Sequence, residues 1–503
     1  MLLLIRLCFE VEPLTYWSLA MTSEQVALNE KKNPDWRILL ALFLAAFITR
    51  SSLINWYSAE YSDAILYITF FYNDSIHIAP LYGFILEPFY NLFSFIPTHE
   101  FAGSFISILS ASLSVVPLFL IGRYFFTDKV GVYSVLFFIV SPVALRWNIR
   151  VMTDSLFTLF FLLCVYSLVR LYYESDKRWL FWSVFLAGMA SLTRYQGLAL
   201  TPIVAFLCIR ELRRKRYWAL AIAIPAVLPW LFFCWWIFSR KFGQIGVYKN
   251  QMQGLSNYLE MFTTYMSVLP YALTYPVFAL FCYGVYKSWR MERGRVLAII
   301  FAALFLPWLI MHTFYSELVI RTFLPLFPLA MIFAAYAATL IKREKTVMVV
   351  SLVISMVCAG AVLYYQRDTF GDIKRASQWV RFNVDPSAHV YATDSSNLKT
   401  KFWSRRDINK YRPDAPFKPG DYLLLPSFYT YIEKSIGEVN EKYRLKTVYE
   451  TASSIVPLLP DITDPPEHTM TPGWKKFRFK RHNFRSVVVK VVERREEPGG
   501  EGP

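Results

Sequence analysis

Two acidic residues adjoin apolar segments, where an isolated carboxylate is energetically costly. Asp63 lies in "SAEYSDAILYITFF", among tyrosines and in a loop without Lys or Arg, and Asp154 opens the run "DSLFTLFF". A carboxylate in a half-apolar cleft has a weakened hydration shell and can accept a proton. Each acid also has a simpler interpretation as a helix N-terminal residue, where negative charge is favourable. We predict that both acids are catalytic, with Asp63 as the general base.

Basic residues are expected on the same side of the protein as these acids. Arg150 precedes Asp154 by about one helical turn and is expected to pair with it, Arg194 interrupts an apolar stretch, and Arg321 and Lys241 adjoin two others. A single cation at a helix end is usually an interfacial anchor, but several together favour an anion, and phosphate is the natural candidate. The predicted phosphate-binding residues are Arg194, Arg321, Arg150 and Lys241. Four further residues are placed in the substrate pocket: Glu60, Tyr67, His77 and Tyr195.

The sequence contains no recognisable motif for binding a metal or a nucleotide. The six histidines have no ligand spacing, and the six cysteines lie in apolar stretches or at the extreme N-terminus. No Walker A loop, dinucleotide fingerprint or zinc-protease motif is present, and glycine is scarce. We therefore predict no metal site and no required cofactor, although a divalent metal stays open.

The composition is that of a polytopic membrane protein. Of its 503 residues, 55% are hydrophobic and 18% aromatic, and the mean hydropathy is +0.34. Apolar runs recur at about 20 residues, the length of a bilayer-spanning helix. The net charge of +16 would suggest nucleic acid in a soluble protein. Here the basic residues fall mostly in short loops and in the tail, so membrane topology explains much of the excess and no nucleic-acid partner is predicted.

Eleven spans are predicted, and the first four show no break in the middle of their sequence. The loops rich in Lys and Arg, such as "RELRRKR" and "KSWRMERGR", all fall on one side if the N-terminus is cytoplasmic. An odd number of spans then places the C-terminal region outside. The predicted spans are 37–54, 103–122, 131–146, 154–172, 179–193, 196–210, 218–239, 266–286, 296–315, 320–341 and 346–365.

Four regions follow from this topology. Residues 1–36 form a cytoplasmic or interfacial segment, whose start is either Met1 or Met21. Residues 37–365 form the membrane domain, whose long first outer loop, 54–102, is acidic and aromatic and is expected to hold helices in the interface plane. Residues 366–492 alternate between helical and strand patterns, which predicts a small extracytoplasmic α/β domain. Residues 493–503 are expected to be disordered.

The order of the motifs resembles the GT-C superfamily of membrane glycosyltransferases, and in particular the group of protein O-mannosyltransferases and lipid A aminoarabinose transferases. The resemblance rests on one span, a long outer loop that opens with Asp63, and four motifs in order. These are "APLYGFILEPFYNLF", "RVMTDSLFTLFFLLCVYSLVR", "LAGMASLTRYQGLALTP" and "IRTFLPLFPLA". The resemblance covers roughly residues 37–345. Asp63 is followed by Ala64, where this group usually has a second acid.

The resemblance implies an inverting glycosyltransferase that uses a polyprenyl (or dolichyl) phosphate sugar on the extracytoplasmic face. Asp63 matches the general base of the group, Asp154 the acid of the second outer loop, and Arg194 and Arg321 basic positions near the donor phosphate. The implied partners are the lipid-linked donor, membrane lipids and a protein, lipid or glycan acceptor. A transporter or flippase of a lipid-linked or anionic substrate and an oligosaccharyltransferase-like enzyme remain the alternatives.

Overall fold

We analysed a computed structural model of the chain. It describes residues 35–54, 62–72, 78–93, 98–174, 176–214, 217, 221, 224–239, 258–314, 319–412, 414–427, 432–456, 458 and 481–495. Helices fill most of this part up to residue 365, and a small sheet with flanking helices follows. The polytopic helical class with a small C-terminal α/β domain is thus found, whereas the predicted domain boundaries stay predictions.

The helical part contains sixteen described α-helices and three short 3₁₀ helices. The α-helices are α1 (Trp36–Ser51), α2 (Ser62–Ile68), α3 (Leu81–Leu92), α4 (His99–Leu113), α5 (Val115–Phe125), α6 (Asp128–Val140), α7 (Pro142–Asn148), α8 (Asp154–Glu174), α9 (Lys177–Thr193), α10 (Thr201–Arg213), α11 (Leu228–Ser239), α12 (Tyr258–Ala272), α13 (Tyr275–Ser288), α14 (Glu292–Thr313), α15 (Phe327–Thr339) and α16 (Glu344–Tyr365). The 3₁₀ helices are Phe70–Tyr72, Tyr195–Leu200 and Ile320–Phe323.

Every predicted span overlaps at least one of these helices. Five helices of the described part are long and apolar enough to cross a bilayer, and seven spans result if each of two bent pairs counts as one. The five are His99–Phe125, Asp154–Glu174, Tyr195–Arg213, Glu292–Thr313 and Glu344–Tyr365. The helices α11 and α15 are apolar but shorter. A multi-pass helical protein is therefore supported, and the count of eleven stays a prediction.

The third predicted span, 131–146, is broken, contrary to the expectation from its sequence. The helices α6 and α7 meet at an angle of 63°. Proline lacks an N–H group and disfavours helical backbone in the residue before it, so Pro142 keeps Ser141 out of the helix and α6 ends at Val140. Ser141 is extended, with ψ of 126°, and its hydroxyl accepts a hydrogen bond from the Ala144 N–H at the start of α7. The break starts a new helix whose residues lead to the site described below.

Arg50 of α1 compensates for the missing N–H of Pro142. In an unbroken helix the carbonyl of Phe138 would accept from residue 142. Instead, the buried Arg50 guanidinium donates to this carbonyl over 3.5 Å and to the Ala46 carbonyl over 3.1 Å. Its guanidinium carbon also lies 5.2 Å from the Phe138 ring centroid. Arg50 therefore connects α1 to the C-terminal end of α6.

Arg50→Met is expected to lower the free energy of unfolding by about 1–3 kcal/mol, because it leaves the buried Phe138 carbonyl unsatisfied. In a Pro142→Ala background the loss should be smaller, since the alanine supplies the N–H that Phe138 needs. Thermal unfolding of the purified protein in detergent, for both single variants and the double variant, measures this coupling. Equal losses in both backgrounds would contradict the role assigned to Arg50.

The predicted span 266–286 is also bent. The helices at Met261–Ala272 and Tyr275–Ser288 meet at 106°, so this segment is a broken span or a re-entrant loop. Thr274 at the junction has a φ of 68°, which is strained for a β-branched residue. Its hydroxyl lies 2.9 Å from the Ser355 hydroxyl of α16. The Pro276 of α13 is tolerated near the start of the helix because no intrahelical N–H is needed there.

The C-terminal domain is a five-stranded mixed sheet. Its order is β2-β1-β3-β5-β4, with β1 parallel to both neighbours and β5 antiparallel to β3 and β4. The strands are β1 (Val390–Ala392), β2 (Asn409–Lys410), β3 (Tyr422–Pro426), β4 (Tyr443–Ile455) and β5 (His482–Arg494), and the helices are α17 (Gly371–Asn383), α18 (Asp394–Ser404) and α19 (Ile432–Asn440). The strand patterns "AHVYATD", "DYLLLPS", "KTVYETA" and "SVVVKVVE" coincide with β1, β3, β4 and β5, and the helical pattern "DIKRASQWVRFNV" coincides with α17. The elements α18, α19 and β2 had no clear pattern.

Asp372, in the first turn of α17, is buried beneath the sheet. Its two carboxylate oxygens accept hydrogen bonds from the hydroxyls of Ser453 (2.8 Å) and Ser486 (2.7 Å). Burial nevertheless raises the pKa of the Asp372 carboxyl above its ordinary range. The folded state thus holds this proton more tightly than the unfolded state. The contribution to stability is complete below the ordinary pKa and declines as pH rises through the raised pKa.

The free energy of unfolding of the Asp372→Asn variant, taken relative to that of the natural protein, is therefore expected to increase when the pH is raised from 4 to 7. Asp385→Asn is the matched control with the opposite sign, because hydrogen bonds from Ser387 lower the pKa of the Asp385 carboxyl. The free energy of unfolding of the Asp385→Asn variant, relative to that of the natural protein, should decrease over the same pH interval. Thermal unfolding of the full chain at both pH values measures the two differences, and equal signs would contradict the assignment.

Candidate active site

Asp63 stands at the start of α2, with its carboxylate half-exposed. Apolar residues of the same helix, including Ala64 and Ile65, are buried and fix its orientation. Oδ2 of Asp63 accepts a hydrogen bond from Nη2 of Arg321 over 3.0 Å. Arg321 lies in the 3₁₀ helix Ile320–Phe323 and is only 9% exposed. The basic partner that is missing from the loop of Asp63 thus comes from a segment far along the chain.

Trp147 of α7 joins Arg321 to a second arginine. The guanidinium carbons of Arg321 and Arg150 each lie 4.9 Å from the centroid of the buried Trp147 ring. The guanidinium of Arg146 lies at 5.4 Å and donates to the Gln366 side-chain oxygen. Among the described residues, three guanidinium groups thus gather around one indole, beside the carboxylate of Asp63.

Asp154 pairs with Arg194 and not with Arg150, which corrects the pairing expected from their spacing. Nη1 of Arg194 donates to Oδ1 of Asp154 over 2.6 Å, and the Asp154 residue is only 2% exposed. Arg150 lies in the bend between α7 and α8, and its guanidinium is placed next to Trp147. Arg194 ends α9, whose packing along α8 brings it to the first turn of α8. Tertiary packing therefore outweighs sequence proximity here.

Tyr67 links the two carboxylates. It follows Asp63 by one turn of α2, and its hydroxyl lies 3.5 Å from the Thr153 hydroxyl, next to Asp154. Nη1 of Arg194 is also 3.5 Å from this Thr153 oxygen. Burial raises the pKa of Tyr67, and the charge of Asp63 raises it further, with a smaller contribution from Asp154. Both acids thus lie within electrostatic range of one phenol.

The other predicted site residues have different outcomes. Glu60, His77 and Lys241 lie outside the residues that the structure describes. Tyr195 begins the 3₁₀ helix after Arg194, and its ring lies 5.6 Å from that of Phe233. The structure therefore brings together Asp63, Asp154, Tyr67 and three of the four predicted phosphate-binding residues, Arg150, Arg194 and Arg321.

The C-terminal domain reaches this site. Its helix α18 packs against α2, the helix that carries Asp63. Leu398, Phe402 and Trp403 of α18 pack against the main apolar core, to which the buried residues of α2 belong. The Val456 N–H donates to the Tyr365 carbonyl at the end of α16 over 3.1 Å. The C-terminal domain therefore contacts both the helix that carries Asp63 and the end of α16.

Comparison with known proteins identifies relatives of this fold. Residues 77–236 match the family model of dolichyl-phosphate-mannose-protein mannosyltransferase. Among solved structures, ArnT from Cupriavidus metallidurans bound to undecaprenyl phosphate is similar with a TM-score of 0.59 and 12% identity, covering 90% of this chain and 98% of ArnT. No curated protein sequence matches the chain.

Two more distant structures share the fold over different extents. The apo oligosaccharyltransferase from Archaeoglobus fulgidus has a TM-score of 0.51 at 11% identity, over 83% of this chain and 70% of its own. The mycobacterial arabinofuranosyltransferase AftD has a TM-score of 0.52 at 11% identity, over 92% of this chain but 40% of its own. The resemblance to GT-C glycosyltransferases is confirmed.

Proposed function

We propose that this protein is an inverting glycosyltransferase that moves a hexosyl or pentosyl group from a polyprenyl (dolichyl) phosphate donor to an acceptor hydroxyl. The observation that carries the proposal is the joint placement of Asp63 and Asp154 around Tyr67, next to the arginines around Trp147. A base and a set of cations at a lipid-accessible site are the two requirements of transfer from a lipid phosphate.

In the proposed reaction the acceptor oxygen attacks the anomeric carbon of the donor. The bond between that carbon and the phosphate oxygen breaks, and the electron pair leaves with the phosphate. Asp63 accepts the proton of the attacking hydroxyl, while Arg321 and Arg150 stabilise the negative charge of the departing polyprenyl phosphate. A single displacement of this kind inverts the anomeric configuration, and it needs only one base.

Arg321 is proposed to exchange partners during this cycle. Without a ligand, it bonds the Asp63 carboxylate at 3.0 Å. A phosphate beside Trp147 competes for the same guanidinium and leaves the Asp63 carboxylate ready for an acceptor hydroxyl. Donor binding and activation of the base are coupled in this way, so a site without donor holds Asp63 in its ion pair.

The proposed topology places this site on the extracytoplasmic face, with the N-terminus in the cytoplasm and the C-terminal domain outside. The contact of α18 with α2 supports a role of that domain in forming the acceptor entrance. The acceptor is a protein, a lipid or a glycan, and the lipid chain of the donor lies among the membrane helices.

The proposal is tested with purified protein in vesicles that contain a polyprenyl-phosphate sugar labelled in the sugar. Release of polyprenyl phosphate, with label recovered on an acceptor from the native membranes, is expected. Label that crosses the vesicle membrane still attached to its lipid would instead support the transporter alternative. Loss of transfer with a chelator, restored by a divalent ion, would favour the oligosaccharyltransferase-like alternative.

A further inference from the structure

The segment that carries Arg321 is a short 3₁₀ helix, Ile320–Phe323. A 3₁₀ helix has poorer hydrogen-bond geometry than an α-helix, so it gives little rigidity by itself. At its start, the Val319 carbonyl accepts from the Thr322 N–H over 3.4 Å and from the Thr322 hydroxyl over 2.8 Å. The position of Arg321 therefore depends on the contacts that this 3₁₀ helix makes with other elements.

Tyr265 of α12 makes such contacts at both ends of the 3₁₀ helix. The Val319 N–H donates to the Tyr265 hydroxyl oxygen over 3.2 Å. An N–H at the start of a helix has no partner within the helix, and here a phenol from another helix accepts from it. Tyr265 is fully buried, and its ring lies 5.4 Å from the ring of Phe323. Tyr265 thus contacts residues that precede and follow Arg321 in the sequence.

The bend after α12 is held in turn by a contact with α16. The helices on either side of the bend meet at 106°, and Thr274 between them has a left-handed backbone. A strained backbone of this kind persists only where the surrounding structure holds it. The Thr274 and Ser355 hydroxyls are 2.9 Å apart, and both residues are buried. The helix that carries Tyr265 is therefore tied to α16 as well as to the 3₁₀ helix.

The Arg321 side chain makes two contacts that depend on this placement. Its Nη2 donates to Oδ2 of Asp63 over 3.0 Å, and its guanidinium carbon lies 4.9 Å from the Trp147 ring centroid. Hydrogen bonds weaken steeply when they are misaligned, and a displacement of about 1 Å at a reacting site can cost orders of magnitude in rate. A contact that fixes the backbone next to Arg321 therefore controls what its guanidinium can reach.

We propose that Tyr265 is a positioning residue, which acts through Arg321 and sets the affinity for the phosphate of the donor. The inference rests on the proposed function, in which Arg321 exchanges Asp63 for the donor phosphate. Tyr265 holds the backbone of the 3₁₀ helix in place while the guanidinium changes its partner. This role needs no contact between the phenol and the reacting groups.

The experiment is a double-mutant cycle on the binding of radiolabelled polyprenyl phosphate to the purified full-length protein in detergent. Tyr265→Phe keeps the ring but removes the hydroxyl, and it is expected to weaken binding by about 3- to 10-fold. Arg321→Gln removes a charged contact to phosphate and should weaken binding by about 10- to 100-fold. In the Arg321→Gln background, Tyr265→Phe should cause no further loss, because its effect passes through the guanidinium.

A merely structural contribution of Tyr265 would weaken binding by the same factor in both backgrounds, and this result would overturn the inference. Natural affinity of the Tyr265→Phe protein would overturn it as well. If Tyr265→Phe does not fold, Phe323→Leu takes its place in the cycle, because it removes the ring that packs against Tyr265. The same dependence on Arg321 is expected of this second variant.

Tyr411→Phe is the matched control. The Tyr411 hydroxyl donates to the Ser435 backbone carbonyl over 3.3 Å within the C-terminal domain, so its loss should leave the affinity unchanged. Equal weakening by Tyr411→Phe and Tyr265→Phe would show a non-specific effect and overturn the positioning role. Failure of the natural protein to bind polyprenyl phosphate would overturn the proposed function, and the inference with it.

Discussion

Asp63→Asn should reduce sugar transfer by about 10²- to 10⁴-fold, the usual contribution of a positioned general base. The amide keeps the size of the side chain and an oxygen that accepts from Arg321, so α2 and the arginines around Trp147 keep their positions. Only the ability to take the proton of the acceptor hydroxyl is lost. Donor binding is expected to stay within a few-fold of the natural value, since one negative charge beside the phosphate is removed. Initial rates and donor affinities, measured on the same preparation, separate the two effects.

Asp128→Asn is the control for this substitution. Asp128 also forms an ion pair with an arginine, Arg123, over 2.8 Å, but it lies at the start of α6 and belongs to a predicted cytoplasmic loop. Its replacement should leave transfer unchanged. An Asp63→Asn enzyme that retains most of its transfer rate would remove Asp63 from the role of base. Loss of donor binding in proportion to the rate would show that Asp63 acts through the arrangement of Arg321 instead.

The sequence was informative wherever one local pattern determines the outcome. Apolar runs of membrane-spanning length coincide with helices throughout the described part because helix formation satisfies the backbone within each run. The strand and helix patterns of the C-terminal domain were equally local. The carboxylates of Asp63 and Asp154 are recognisable for the same reason, since their apolar neighbours alone make a charged side chain costly.

Partners that come from distant segments could not be predicted. Arg150 is four residues from Asp154, yet Arg194 forms the pair, because the packing of α9 on α8 determines which guanidinium is within reach. Trp147 had a weak signal in "RWNIR", where an aromatic residue stands among arginines, but its contact with Arg321 depends on the fold.

The broken helices show a further limit. Pro142 is a recognisable helix breaker, but it lies within an apolar run of membrane-spanning length. The break matters for the candidate site, because α7 and the residues after it bring Arg146, Trp147 and Arg150 into one region. The candidate site therefore depends on a deviation from regular helical structure.

The second large effect concerns the buried pair of Arg194 and Asp154. Arg194→Gln is expected to lower the free energy of unfolding by about 3–5 kcal/mol, because it leaves the Asp154 carboxylate buried without a counter-charge. Asp154→Asn combined with Arg194→Gln should recover most of this stability, since two neutral amides of similar size can bond each other. Thermal unfolding in detergent measures both variants against the natural protein.

Transfer activity separates a structural pair from a functional one. If the pair only holds α8 against α9, the double variant should regain activity together with stability. We expect instead that it folds but transfers sugar at least about 100-fold more slowly, because it lacks both the charge of Arg194, a predicted phosphate-binding residue, and the predicted catalytic carboxylate of Asp154. Binding of polyprenyl phosphate should weaken in parallel, since Arg194 is one of the predicted phosphate-binding residues. A stable double variant with natural activity would place the chemistry elsewhere and leave Asp154 and Arg194 as a structural ion pair.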